Sequence, residues 1–266
     1  MTSATSEGNS VVVIPPPGGV VSELEEAVRI SQRKTTVRLP QAFARDMVGT
    51  PPAPPLSAVM QGRGEMRLKV LLTTLMMATA PPHNIKVRPA ELASMLGLRE
   101  PGTAGVRRVN EAFKSLEALG LVRRDRQPGY VPNTAILNPD GSRGEWDDTK
   151  LEAGYITLPI GLWKRGWIVP LSGRAIALLV LLREATGGRK DNTGWIPGPR
   201  KRQYGLSEDF WADATTDLIA AGLLDVEAKT YKAQGEPRRR NLYRLHHHRL
   251  DQFDPGSAPT GVYNGI

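Results

Sequence analysis

Three consecutive histidines, His246-His247-His248, are the most obvious potential metal ligands in the chain. Neighbouring side chains of a strand point to opposite faces of a sheet, so three consecutive histidines cannot converge on one ion. The run also lacks the apolar residue between two histidines, and the nucleophilic tyrosine on a helix, that nicking enzymes need. We therefore expect it to end a strand in solvent and to bind no metal.

No other group of residues is arranged for catalysis. Asp147-Asp148 lies in an acidic loop with nothing nearby to complete an acid–base pair. The chain has no G-x-x-x-x-G-K phosphate loop, and Gly62-Arg63-Gly64 is too short for that role. The absence of cysteine excludes a disulfide framework, a thiolate zinc site and a cysteine nucleophile. The expectation is a protein that is not an enzyme and needs no cofactor.

The charge of the chain favours a polyanionic partner. Lys and Arg number 35 against 27 Asp and Glu, which gives a formal net charge of +8. Such an excess favours nucleic acid as the partner, although it says nothing about the fold. No apolar run approaches the ~18 residues that a membrane helix needs, and the N-terminus does not resemble a secretion signal. We expect a cytoplasmic, nucleoid-associated protein without membrane contact.

Composition divides the chain into segments. Residues up to about 20 are small, polar or prolyl and cannot bury enough apolar surface to become ordered. The acidic, turn-rich sequence after Leu137 is typical of a linker, and the last dozen residues are typical of a frayed terminus. The predicted organisation is a disordered arm and short helix at 1–34, a first domain at 35–137, an acidic linker at 138–153, a second domain at 154–245 and a flexible tail at 246–266.

Each predicted domain carries three helical patterns followed by two strands. The helices are predicted at 65–80, 90–96 and 104–119 in the first domain, and at 173–185, 199–204 and 207–221 in the second. The strands of the second domain, 223–229 and 241–245, enclose a long basic loop. A proline-rich stretch at 49–55 is predicted to be an extended loop.

Short motifs recur in the same order in both domains. Val37-Arg38-Leu39-Pro40 parallels Ile156-Thr157-Leu158-Pro159, and Leu96-Gly97-Leu98 parallels Tyr204-Gly205-Leu206. A helix that ends in "LGLV" in the first domain ends in "AGLL" in the second. Two copies of a strand–helix–helix–helix–hairpin unit explain this recurrence better than one irregular domain.

This order of elements resembles the winged helix-turn-helix family of DNA-binding proteins. The resemblance covers about residues 35–137 and 154–245. The segment 156–182 ("ITLP…LW…LSGRAIALLVLL") is further similar to plasmid replication initiator proteins. The implied fold class is α+β, mainly helical, with two tandem winged-helix domains and short β-hairpin wings.

In this family the second helix of the pair enters the major groove. In the first domain that helix is 104–119, where an apolar face opposes an outward, mostly charged face. Arginine can fork onto guanine, glutamate can accept from cytosine, and lysine can reach phosphate or guanine. The predicted base contacts are Arg107, Arg108, Glu111 and Lys114. A solvated face of mixed charge is the alternative.

Basic residues outside this helix are predicted phosphate contacts. They lie in the first hairpin, in the short second helix of the second domain and in its hairpin loop: Arg123, Arg124, Arg126, Arg200, Lys201, Arg202, Lys232, Arg238, Arg239 and Arg240. A charged edge strand or a solubilising loop would contain the same residues.

The helix 207–221 departs from this pattern, because its outward face carries Asp209, Asp213 and Thr216. Carboxylates would repel phosphates, so base reading by this helix is not expected, and the Asp209/Asp213 face suits a protein partner. The tryptophans beside apolar runs are predicted to lie in the core or between domains rather than to stack on bases. They are Trp163, Trp167, Trp195 and Trp211.

The leading hypothesis is a sequence-specific protein that binds double-stranded DNA and regulates transcription. One chain with two related units resembles a fused dimer and would cover two unequal half-sites. A plasmid-type replication initiator, and a winged-helix docking scaffold with no DNA role, are the alternatives. A homodimer is left open.

Overall fold

The computed structural model describes residues 13–47, 53–147, 149, 151, 154–187, 192–233 and 236–264, with only the backbone at 232, 233, 236 and 238. The first half of the chain forms α1 (Gly18–Ser31), β1 (Thr36–Pro40), α2 (Gln41–Ala44), α3 (Pro55–Met60), α4 (Glu65–Met77), β2 (Asn84–Lys86), α5 (Pro89–Met95), α6 (Ala104–Ala118), β3 (Val122–Asp125) and β4 (Asn133–Ile136). The second half forms β5 (Tyr155–Pro159), α7 (Gly161–Lys164), α8 (Gly173–Thr186), β6 (Thr193–Gly194), α9 (Gly198–Gln203), α10 (Glu208–Ala220), β7 (Leu224–Ala233), β8 (Glu236–Leu245), α11 (Arg249–Gln252) and β9 (Tyr263–Asn264). The fold is therefore α+β.

Helices α4 and α8 form the centre of the core. Every residue from Leu68 to Met76 is buried, and so is every residue from Ala175 to Leu182. Helices that are apolar on most sides are stable only when neighbours surround them, as the sequence predicts for α4. Helix α6 instead buries one face, through Val109, Phe113 and Leu116.

The two halves repeat one order of elements. The first half has a sheet in the order β2-β4-β3, and the second has β6-β8-β7, with β9 added at the free edge of β7. Equivalent glycines adopt equivalent left-handed conformations, with φ of 64° at both Gly97 and Gly205, and 70° and 72° at Gly120 and Gly222. Glycine adopts this conformation without steric cost, which explains its place after each helix.

Strands β1 and β5 join the halves in a reciprocal register. They are antiparallel, and Arg38 faces Thr157, its own counterpart in the recurring motif. Val37 faces Leu158, while Leu39 faces Ile156. A local twofold axis produces this pairing, as it does in the isologous interface of a homodimer.

The turns before α6 and α10 also contact the opposite half. Ser57 Oγ donates a hydrogen bond to the carbonyl of Gly205 at 2.7 Å. A Cβ added at Gly97 would lie 2.9 Å from Val169 Cγ1. Ser57 precedes α4 and Val169 precedes α8, so the two contacts are equivalent and extend the twofold relation.

Several expectations about loops need correction. Pro55 begins helix α3 within the predicted proline-rich loop, since proline at the first helical position lacks only an N–H that would be unpaired anyway; residues 48–52 lie outside the described part. The predicted basic loop of the second half is instead paired strand, because β7 and β8 each contain ten residues.

The segments predicted as linker and tail are packed where the structure describes them. Trp146 is only 3% exposed, and Leu137 forms a bridge with Glu145. In the predicted flexible tail, Leu250 of α11 is fully buried and β9 pairs in parallel with β7. None of the described helices has both the length and the apolar composition of a membrane span.

Candidate functional site

Helix α6 presents its predicted contact residues to solvent. Arg107, Arg108, Glu111 and Lys114 are all exposed on the side opposite Phe113. The Nε atom of Arg107 lies 3.8 Å from Glu111 Oε1, but these side chains are 79% and 69% exposed, so the pair contributes little stability. Arg108 and Lys114 make no hydrogen bond or ion pair with any residue that the structure describes. The charged face of α6 is therefore open to a ligand.

A cleft of about 910 Å³ lies beside α6 and is lined by both halves. Its walls come from α6, the turn before α4, the start of α8 and Phe210 of α10. Five arginines line it: Arg63, Arg67, Arg107, Arg108 and Arg174. The cleft thus continues the basic surface of α6 toward the second half.

Arg63 is a cleft residue that the sequence did not single out. It lies between Gly62 and Gly64 in the turn before α4, and it is exposed. Arg67 holds this turn in place by donating to the carbonyls of Val59, at 2.9 Å, and Gln61. A single arginine between two glycines is not a recognisable binding motif in the sequence. Arg63 is assigned to the cleft because the folded chain places its turn beside α6.

An ion pair between the buried Lys69 and the exposed Glu65 forms the floor of this region. Lys69 Nζ lies 2.7 Å from Glu65 Oε1 and 2.8 Å from the carbonyl oxygen of Val169. Burial lowers the pKa of Lys69, although Glu65 opposes this shift. Burial raises the pKa of Glu65, but Lys69, the N–H of Gly173 and Arg108 together lower it below its ordinary value. The floor is consequently neutral overall, and the positive charge comes from the arginines above it.

The acidic face predicted on α10 is partly neutralised. Arg174, in the first turn of α8, contacts Asp213 Oδ2 at 2.5 Å and Asp217 Oδ2 at 2.8 Å. Asp217 also accepts a hydrogen bond from Ser172. Asp209 and Thr216 remain exposed. Repulsion between α10 and a polyanion is therefore weaker than the sequence suggests.

The three predicted phosphate contacts of the first hairpin differ in their exposure to solvent. Arg123 is exposed, and Arg126 is exposed but paired with Glu117. Arg124 is buried: its guanidinium lies 4.4 Å from the ring centre of Phe113 and donates to Asn110 at 3.2 Å. Burial lowers the pKa of Arg124. Alternation along β3 turns this one arginine inward, so it packs against α6 instead of joining the exposed basic surface.

Two of the three basic residues of helix α9 contact other side chains of the protein. Arg200 donates to the fully buried carboxylate of Glu184 at 2.9 Å, and Lys201 lies 5.0 Å from the ring centre of Trp211. Lys201 is also 3.3 Å from Glu208. Arg202 is exposed. Of the three predicted phosphate contacts here, only Arg202 keeps an exposed side chain.

In the second hairpin, Arg239 is exposed and Arg240 lies between two aromatic rings. The side chains of Lys232 and Arg238 lie outside the described part of the structure. The tryptophans Trp163, Trp167 and Trp211 are buried as predicted. The prediction is wrong for Trp195, which is 40% exposed because it follows the short edge strand β6.

The histidine run is engaged in local contacts. His246 Nε2 lies 2.7 Å from Asp225 Oδ2, and a ring nitrogen of His247 lies 3.2 Å from Arg183 Nη1. No group of three or more potential metal ligands is close together among the described residues.

His247 is expected to make the protein less stable in acid. Burial, with a smaller effect of Arg183, lowers the pKa of His247 from 6.5 to about 4. As the pH falls from 6.5 to 4, the unfolded chain binds a proton that the folded chain does not, so stability falls. At about 1.4 kcal/mol per pKa unit, and allowing for partial solvent exposure, we expect a loss of roughly 2 kcal/mol. Urea unfolding of wild type and His247→Gln at pH 7 and pH 4.5 measures it. An identical pH dependence in both proteins would contradict the prediction.

The structure thus places the exposed face of α6 beside the arginine-lined cleft, and a partly basic hairpin follows α6 in the first half and α10 in the second. Arg124 and Arg200 are taken up by internal contacts, and Arg63 joins the cleft. Comparisons with protein-family models, curated proteins and solved structures found no match for this chain.

Proposed function

We propose that this chain binds double-stranded DNA sequence-specifically through two tandem winged-helix units and regulates transcription in the cytoplasm. The observation that carries the proposal is the open, charged face of α6 beside the arginine-lined cleft. Each half places two successive helices, joined by a glycine turn, before a β-hairpin, and the strand order is the same in both. In helix-turn-helix proteins the second of these helices lies in the major groove.

In this proposal α6 reads bases, with Arg107, Arg108, Glu111 and Lys114 as the contact residues. Cations outside α6 contact the backbone and set the register of the protein on the duplex. Five of them are exposed, namely Arg63, Arg123, Arg126, Arg202 and Arg239, and the sixth, Arg240, is half-buried. Six phosphate contacts predict a log–log salt dependence of affinity with a slope of about −5.

The reciprocal register of β1 and β5 supports one chain acting as a fused dimer. A twofold protein matches two half-sites related in the same way. Only the first half presents an open basic helix face, so the two half-sites are expected to differ in sequence. Replication initiation would use the same surface, whereas docking of a protein would use the face of Asp209 and Asp213, whose charge Arg174 reduces in part.

Alanine at Arg107 or Lys114 is expected to weaken duplex binding roughly 5- to 20-fold per substitution, the loss of about 1–2 kcal/mol of contact energy. Both side chains are exposed, so the fold should be retained. Selection of bound sequences from random duplex DNA, at two salt concentrations, supplies the target. Fluorescence anisotropy then compares wild type, both variants and Arg29→Ala, an exposed arginine of α1 that serves as control.

Three results would contradict the proposal. The wild-type chain would select no sequence and show no salt-sensitive affinity for duplex DNA. The Arg107→Ala and Lys114→Ala variants would bind as tightly as Arg29→Ala. Or the selected sequence would stay the same when Arg107 is replaced, which would remove α6 from base reading.

A further inference from the structure

Arg240 lies between two aromatic rings on one face of the β7–β8 hairpin. Its guanidinium carbon is 3.6 Å from the ring centre of Trp195 and 3.7 Å from that of Tyr231. The strand register explains the arrangement. Arg240 pairs with Lys229, and Tyr231 follows two residues later on the same face. Thr193 of β6 pairs with Arg244, which brings Trp195 to that face as well.

Stacking fixes the plane of this guanidinium but uses none of its N–H groups. Arg240 makes no hydrogen bond or ion pair with a described residue. Each ring contributes a cation–π contact to the guanidinium. An arginine side chain without such contacts loses rotamer entropy when it binds a ligand. The two rings therefore orient a set of donors before any ligand arrives.

The surroundings of Arg240 favour an anion. Trp195, Lys201, Arg239 and Arg240 line a groove of about 400 Å³ to which no described acidic residue contributes. A planar guanidinium matches two oxygens of one phosphate, whereas an ammonium acts as a single point charge. The nearby cations attract a phosphate more strongly than they attract the uncharged edge of a base.

We propose that Trp195 and Tyr231 are positioning residues that hold Arg240 as a two-donor clamp for one phosphate of the DNA backbone. The inference rests on the proposed duplex binding and deepens it. The hairpin strands contain ten residues each and span about 33 Å. Arg240 lies midway along β8, so the clamp places a fixed contact on the second hairpin and not on α6.

Exchange of arginine for lysine at two neighbouring positions tests the clamp. Arg239 is an exposed phosphate contact without an aromatic partner among the described residues, so it is the comparison for a contact made by charge alone. Arg239→Lys keeps that charge and should lose clearly less affinity than Arg240→Lys, and Arg29→Lys, which lies outside the proposed contacts, is the control. Arg240→Lys keeps the charge but loses the fork, and should weaken binding about fivefold, nearly as much as Arg240→Ala. Only Arg240→Ala should make the slope of log affinity against log salt concentration less steep, by about 0.9.

Variants of the rings separate positioning from folding. Trp195→Leu should weaken binding as much as Arg240→Lys, whereas Trp195→Phe, which still stacks, should restore most of the affinity. Phosphate-ethylation interference should show one backbone position that matters for wild type and for Trp195→Phe but not for Arg240→Ala. Circular dichroism establishes that each variant is folded.

The outcomes separate this inference from the proposed function. A wild-type chain that does not bind duplex DNA overturns both. Duplex binding with equal affinities for wild type and Arg240→Lys, or for wild type and Trp195→Leu, overturns the clamp alone. An unchanged ethylation pattern combined with an altered sequence preference would show that Arg240 reads a base, and would overturn the phosphate assignment.

Discussion

Replacing both Arg45 and Arg200 with alanine is expected to lower the free energy of unfolding by about 3–5 kcal/mol. Both arginines compensate the carboxylate of Glu184, whose side chain is completely buried in α8. Arg45 Nε lies 3.1 Å and Arg200 Nη2 lies 2.9 Å from its oxygens, and Tyr204 donates its hydroxyl at 2.7 Å. Without the two cations, a buried charge would keep only one neutral donor.

Tyr204 cannot replace the lost positive charges, because a phenol is neutral when protonated and negative when ionised. Burial, followed by the nearby Glu184 carboxylate, raises the pKa of Tyr204 well above its ordinary value. Replacing the two arginines should destabilise both halves together, since Arg45 belongs to the first half and Glu184 to the second. Urea unfolding followed by circular dichroism measures the change, and a single shifted transition is expected.

Two comparisons keep this prediction testable. Arg29→Ala removes an exposed arginine paired with Glu26, and should leave the free energy of unfolding almost unchanged. Adding Glu184→Leu to the double variant removes the buried charge itself, and should recover most of the lost stability. If the triple variant is no more stable than the double variant, then burial of an uncompensated carboxylate is not the cause.

Much of the architecture follows from periodicity and from glycine. Apolar residues around most of its circumference predict that α4 is buried, and glycines at 97, 120, 205 and 222 predict where the helices end. Serine is a preferred N-cap residue, and the hydroxyls of Ser172 and Ser207 accept from the backbone N–H groups of Ala175 and Phe210 at the starts of α8 and α10. These features depend on residues close together in sequence.

The fate of individual arginines could not be predicted in the same way. Arg124 and Arg200 resemble their exposed neighbours in sequence, but one packs on Phe113 and the other compensates Glu184, 16 residues away. The lone glutamate in the apolar helix α8 could have indicated that a basic residue is used internally, since a buried acid requires a partner.

The length of the second hairpin could not be predicted for another reason. Its outer part is polar on both faces, so hydrophobic alternation cannot mark the strands.

Shortening the duplex until it ends beside the α6 site is expected to weaken binding by about 100-fold, because the second half then has no DNA to contact. Three of the six proposed phosphate contacts, Arg202, Arg239 and Arg240, belong to the second half. The two halves bind one duplex together, because the β1–β5 pairing, the bond from Ser57 to Gly205 and the Glu184 network connect them.

An insertion of five base pairs beside the α6 site distinguishes backbone contacts of the second half from base reading. The phosphate backbone is the same for every sequence, so the inserted duplex should bind within about twofold of the parent. Bases read by the second half would instead move to the opposite side of the duplex, because five base pairs are half a helical turn. Anisotropy titrations of the parent, shortened and inserted duplexes decide between these cases. A large loss of affinity on insertion would show that the second half reads bases.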